Sequence, residues 1–271
     1  MISASLRSRI ITAVLLAPLA VAAILLLDTL WLMAGLVLLV ALAAREWARF
    51  VWPGAQTLLR VLYPLVLALG ALGLGWLLLQ GVVWPVLLVG ALWWLLALAW
   101  LFAGNPESTP GGVWVKAAAG VFVLLPAMHG LAWLHGLSPW WLLALMLMIW
   151  SADVGAYFAG KQWGRSKLAP RISPGKTWAG VWGGLALAAG LSLIVASLLF
   201  ADWMMVAGLV LLVVPVVLFS VVGDLTESLM KRQAQMKDSG RLLPGHGGIM
   251  DRFDSLFAAA PVFALGVWLL L

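Results

Sequence analysis

Apolar runs follow one another from end to end of this chain, and nothing between them is long enough to form a soluble domain. A bilayer core about 30 Å thick requires roughly 20 mainly apolar residues per spanning helix. With 65% hydrophobic and 10% charged residues, the 271-residue chain has too few polar side chains to clothe a water-soluble globule. The chain therefore reads as an all-α, polytopic integral membrane protein.

Polar breaks fall at Asp28, Arg45 to Gln56, Gln80 to Pro85, Gly104 to Gly112, His135 to Pro139, Lys161 to Lys176, Ala201 to Trp203 and Lys231 to Arg252. They divide the chain into about nine spans. Arg7 and Arg9 before the first apolar run resemble the start of a signal peptide, but the run is long and the topology needs it, so it reads as an uncleaved helix. All 16 Lys and Arg lie at the N-terminus, or in breaks after even-numbered spans and the helix ends beside them. The positive-inside rule then places the N-terminus in the cytoplasm and the C-terminus in the periplasm. The formal net charge of +6 thus reflects cytoplasmic loops, and nucleic acid is not expected as a partner. With no cysteine, disulfides and thiolate metal sites are excluded. Trp31, Trp52, Trp84, Trp140 and Trp203 sit near span ends, as an interfacial aromatic belt requires, whereas Trp93 and Trp94 lie deeper with their environment undecided.

Polar residues are distributed unevenly. Residues 1–137, about five spans, read as membrane scaffold, and 138–271, about four spans with cytoplasmic loops 161–177 and 231–252, as the catalytic region. In a first cluster, Asp153 follows 13 residues after Trp140, about 20 Å along a helix and inside the membrane. An intramembrane carboxylate faces a cavity with a partner, or serves as a structural ion pair. Tyr157 and Lys161 share its helix face at i+4 and i+8.

The second cluster holds Lys167, Arg171 and Ser173-Pro174-Gly175-Lys176-Thr177. Gly-Lys-Thr before a helix invites a P-loop reading, but Pro170 stands where that motif has its first Gly, and no strand precedes it. Lys and Ser/Thr donors beside a helix N-terminus still suit a triphosphate or a phospholipid headgroup. The plainer alternative is a basic loop touching anionic lipid.

In the third cluster, Asp224, Glu227 or Ser228, and Lys231 share a helix face. Arg232, Lys237-Asp238-Ser239, Pro244-Gly245-His246-Gly247-Gly248 and Asp251-Arg252-Phe253-Asp254 follow. Carboxylates beside cations suit metal-assisted phosphoryl or nucleotidyl transfer: acids hold Mg²⁺, while Lys and Arg neutralise phosphate oxygens. The Gly-rich segment offers bare backbone to a phosphate.

At these residues the chain resembles the phosphatidate cytidylyltransferase (CDP-diacylglycerol synthase) family, whose signature runs Ser-x-x-Lys-Arg, Lys-Asp, His-Gly-Gly and Asp-Arg-x-Asp. Ser228, Lys231, Arg232, Lys237, Asp238, Pro244, His246, Gly247, Gly248, Asp251, Arg252 and Asp254 match in order. The 151–160 and 173–178 segments also resemble the family; Ala179 departs from the Glu or Gln that many relatives carry. The resemblance implies an all-helical homodimer in the cell inner membrane, surrounded by membrane lipid, with its active site facing the cytoplasm. The resemblance also implies the conversion of CTP and phosphatidic acid to CDP-diacylglycerol and pyrophosphate. By the same resemblance Asp224 and Asp251, with Asp254 nearby, are the candidates for Mg²⁺, and a second cation, K⁺ or Mg²⁺, stays open. Lys231, Lys176 and Arg252 would neutralise phosphate charge. His246 would be either an acid for pyrophosphate departure or a loop anchor. Asp153, Lys167, Ser173, Lys176, Thr177, Ser228, Arg232, Lys237, Gly247 and Gly248 would meet CTP or the lipid phosphate. Competing readings are another membrane phosphotransferase or lipid kinase, and an ion-coupled transporter using Asp153 and Asp224.

Overall fold

A computed structural model describes residues 17–54, 58–103, 112–242 and 247–271. Among them are a short helix, α1 (Ala17–Leu26), and eight helices long and apolar enough to cross a membrane. These are α2 (Thr29–Val51), α3 (Leu58–Leu79), α4 (Trp84–Ala103), α5 (Gly112–Leu137), α6 (Pro139–Trp163), α7 (Trp178–Leu199), α8 (Trp203–Gln233) and α9 (Met250–Leu270). The all-α membrane architecture is as expected. Residues preceding α1 lie outside the described segments, and the expected first span falls partly among them.

Two expected breaks look different in three dimensions. Arg45 and Arg49 are helical, because α2 continues to Val51, where the stretch from Arg45 had read as a break. The basic loop between α6 and α7 folds into an antiparallel hairpin, β1 (Lys167–Ala169) and β2 (Ser173–Thr177), with Lys167 opposite Thr177. No strand had been expected before Gly175-Lys176-Thr177, but a hairpin this short tolerates Pro170 at its turn and Pro174 on its edge.

In lipid the hydrophobic effect does not draw helices together, so small residues and buried hydrogen bonds must do so. The α6–α7 seam shows the first device: a Cβ at Gly184 would stand 2.8 Å from the Ala152 carbonyl oxygen, and one at Gly183 2.9 Å from that of Gly155. At the α2–α3–α5 joint, the Trp47 indole N–H donates to the Lys116 carbonyl at 2.8 Å, and the Tyr63 hydroxyl to that of Ala117 at 2.7 Å. His135 bridges the Thr29 hydroxyl at 3.0 Å and the Ile24 carbonyl at 2.9 Å, tying α5 to α1 and α2. Helices α5 and α9 occupy the centre; Ala127, Ala258, Ala259, Ala260 and Phe263 are fully buried. Outward, α3, α4 and α7 present Leu69, Leu96, Trp182 and Leu198, the surface a bilayer covers. Trp94 is buried, and Trp93 stacks on Phe122 with ring centroids 5.4 Å apart.

Candidate active site

A cavity of about 420 Å³ opens between α6, β2, α7 and α8. Asp153, Tyr157 and Lys161 line it from α6, as their i, i+4, i+8 spacing predicts, and Lys176, Thr177, Ser220 and Asp224 complete its polar wall. Across it, Lys176 Nζ meets Asp224 Oδ2 at 2.6 Å. The Ser228 hydroxyl, one turn further along α8, donates to Asp224 Oδ1 at 3.3 Å. Thr177 places Lys176 by capping α7, its hydroxyl oxygen accepting the Gly180 N–H at 3.1 Å. The close α6–α7 seam at Gly183 and Gly184 brings Asp153 to the same wall.

A second group of charges lies where α8 meets α9. Gly223 allows this approach, since a Cβ there would stand 2.5 Å from the Asp254 carbonyl oxygen. Asp224 and Glu227 on α8 thereby come opposite Asp254 and Asp251 on α9. Lys231 Nζ joins Asp251 Oδ1 at 2.8 Å and Glu227 Oε2 at 2.5 Å. Asp251 Oδ2 accepts the Ser239 N–H at 2.9 Å and the Gly248 N–H at 2.8 Å, and it shares the single Ser239 hydroxyl proton, 2.9 Å away, with Glu46. Gly247, at φ +84°, makes the turn that aims the Gly248 N–H, a conformation other residues adopt only under strain. The bare Gly-Gly backbone expected to approach a phosphate here approaches the Asp251 carboxylate.

The seam carries more acid than base. Asp224, Glu227, Asp251 and Asp254 face Lys176 and Lys231, and the buried Glu227 Oε1 meets no hydrogen-bond donor among the described residues. An added cation would offset that excess. Among the described residues, no three acidic or histidine side chains converge enough to hold a metal alone. Mg²⁺ commonly takes one or two carboxylates and completes its octahedron with water and substrate phosphates, so an acidic seam of this kind would suit such an ion once a substrate supplied the remaining oxygens.

Other expected site residues lie further out. Ser173 begins β2, and Lys167 begins β1 with its side chain exposed. Arg232 donates from Nε to the Ile172 carbonyl at 3.4 Å, tying the end of α8 to the hairpin. Lys237 lines a separate cavity of about 520 Å³ with Arg49, Asp238 and Arg241. Arg252 is exposed on the first turn of α9, and His246 falls outside the described residues.

Sequence reasoning passed over Glu46. Its side chain is buried, and its carboxylate accepts the Ser239 hydroxyl at 2.8 Å and the N–H groups of Ile249 and Met250 at 3.0 and 2.9 Å. The available signal was its place on a helical face with Ala43, Trp47 and Phe50, all of them buried.

A Lys–carboxylate cavity beside a seam rich in acids, inside a membrane-spanning helical bundle, suits a phosphate-handling membrane transferase. The chain is a member of the Cytidylyltransferase family, whose model matches residues 7–270. It is 44% identical over 267 residues to phosphatidate cytidylyltransferase of Pseudomonas aeruginosa, covering 97% of each chain. The enzyme of that name from Haemophilus influenzae is 48% identical over 134 residues, 48% of this chain and 46% of the relative. That of Staphylococcus aureus strain COL is 48% identical over 125 residues, 45% and 46%.

Proposed function

We infer that this chain is a nucleotidyltransferase that moves the CMP moiety of CTP onto phosphatidic acid, forming CDP-diacylglycerol and pyrophosphate for phospholipid synthesis. The observation that carries this reading is the 44% identity to a phosphatidate cytidylyltransferase across 97% of both chains. The Lys176–Asp224 and Lys231–Asp251 ion pairs support it, since a transfer of this kind calls for cations and carboxylates side by side.

In this mechanism an oxygen of the lipid phosphomonoester attacks the α-phosphorus of CTP in line. A new P–O bond forms as the bond to the β-phosphate oxygen breaks, and pyrophosphate leaves. The nucleophile is already ionised, so no strong general base is required, and positioning with charge neutralisation does most of the work. Asp224 and Asp251, with Asp254 alongside, would hold Mg²⁺, and a second cation, K⁺ or Mg²⁺, would bind beside it. Bound there, Mg²⁺ supplies charge neutralisation for the triphosphate. Lys176 orients phosphate oxygens in the cavity, and Lys231 holds Asp251 in place while adding positive charge. Arg252 adds charge at the α9 terminus, and His246 serves as an acid for the leaving group or as an anchor of its loop.

Nine spans, a cytoplasmic N-terminus and a periplasmic C-terminus are part of the same reading, supported by the segregation of all 16 Lys and Arg. That orientation turns the cavity and the hairpin towards cytoplasmic CTP, in the inner membrane. A homodimer completes the proposal, and nucleic acid has no part in it.

CTP labelled in turn at the α- and γ-phosphorus tests the reaction on purified protein in detergent with phosphatidic acid. The α-label should enter the lipid and the γ-label should leave as pyrophosphate. A γ-label in the lipid would replace this reading with a lipid kinase.

A further inference from the structure

We propose that Glu46, on the second helix and far in sequence from the signature residues, is a positioning residue that sets the Asp251 carboxylate for catalysis. The assignment rests on the function proposed above. Two facts about α9 carry it. Its N-cap, Ile249, has no side chain able to accept the free N–H groups of the first turn, and Ile249 and Met250 are both buried. Such groups need an acceptor, and the positive end of the helix favours an anion. Glu46 meets both needs from another helix, Oε1 accepting from Ile249 at 3.0 Å and Oε2 from Met250 at 2.9 Å.

The second fact is the continuity of the network. The Ser239 hydroxyl stands 2.8 Å from Glu46 Oε2 and 2.9 Å from Asp251 Oδ2, and Ser239 is fully buried. Arg49, one turn after Glu46, donates to the Ser239 carbonyl at 3.3 Å, so the end of α2 grips this loop twice. Gly240 and Gly248 pack so closely on Glu46 that a Cβ at either would overlap its carboxylate. Glu46 thus fixes the start of α9, the Ser239 hydroxyl and, through both, the orientation of Asp251. Hydrogen-bond partners that orient a ligating carboxylate typically matter about 10–100-fold in activity or metal affinity.

Full-length wild type, Glu46→Gln, Ser239→Ala and the double variant should be compared in detergent for kcat, KM for CTP and thermal midpoint. Glu46→Gln should lower kcat about 10–100-fold, with KM for CTP little changed. Ser239→Ala should lower kcat about 10-fold at an unaltered thermal midpoint, and the double variant should fall no further than Glu46→Gln alone. Wild-type kcat in the single variants, or losses that multiply in the double, would overturn the role. So would a drop in thermal midpoint with kcat per folded molecule unchanged. Should Glu46→Gln not fold, Ser239→Ala decides alone: a lowered kcat supports the role, and an unchanged one ends it. A wild type inert towards CTP and phosphatidic acid would remove the proposed reaction itself, whereas an active wild type with unaffected variants would remove only the positioning role.

Discussion

At the scale of the residue, Lys176 and Asp224 illustrate why ion pairs in this site serve chemistry more than stability. Their side chains are 24% and 35% exposed, and partly solvated pairs of this kind contribute only about 0–1 kcal/mol. Lys176→Met removes the charge but keeps the stem. Its thermal midpoint should move little, while kcat/KM for CTP should fall about 100-fold, as when one preorganised donor to a developing charge is lost. Steady-state kinetics beside a melting curve checks this; an unchanged kcat/KM would take Lys176 out of phosphate binding. Asp153, Asp224 and Asp251 were legible in the sequence because a carboxylate in or beside an apolar run needs a reason. Glu46 was not, because it lies among basic residues near a break, and its partners Ser239 and Met250 lie about two hundred positions away. No local pattern reports a contact of that range.

At the scale of the element, the site depends on two seams where helices approach to backbone distance. Gly183 and Gly184 bring α7 against α6, and Gly223 brings α8 against α9. Gly184→Leu would wedge the α6–α7 seam apart, because the new side chain has to displace the Ala152 backbone. Overpacking of this sort costs about 1–3 kcal/mol, so the thermal midpoint in detergent should drop and turnover should fall with it. A variant as stable and active as wild type would show that the seam does not shape the cavity. The long apolar runs made the helices readable, and Thr177 was expected to precede one. The hairpin at 167–177 was not readable, since its strands are too short to show alternation. Nor was the burial of Trp94, because α4 is apolar on every side and shows no inward face.

At the scale of the whole molecule, the architecture divides its labour. α3, α4 and α7 turn apolar side chains outward, α5 and α9 fill the centre, and the charged groups gather at helix ends joined by basic segments. The proposed orientation rests on those basic segments, and the absence of cysteine makes it simple to test. Arg165→Cys should react with an impermeant thiol reagent only from the cytoplasmic side and Asp202→Cys only from the periplasmic side; the reverse pattern would invert the topology. The central claim is that the carboxylates of the α8–α9 seam carry CMP transfer. Turnover of CTP with phosphatidic acid by Asp224→Asn and Asp251→Asn, each first shown to insert and fold as wild type, tests it most directly. Both should lose at least about 100-fold in kcat, since each isosteric change removes a charge from the seam and turns one acceptor oxygen into a donor. Turnover near the wild-type rate in either variant would contradict the account.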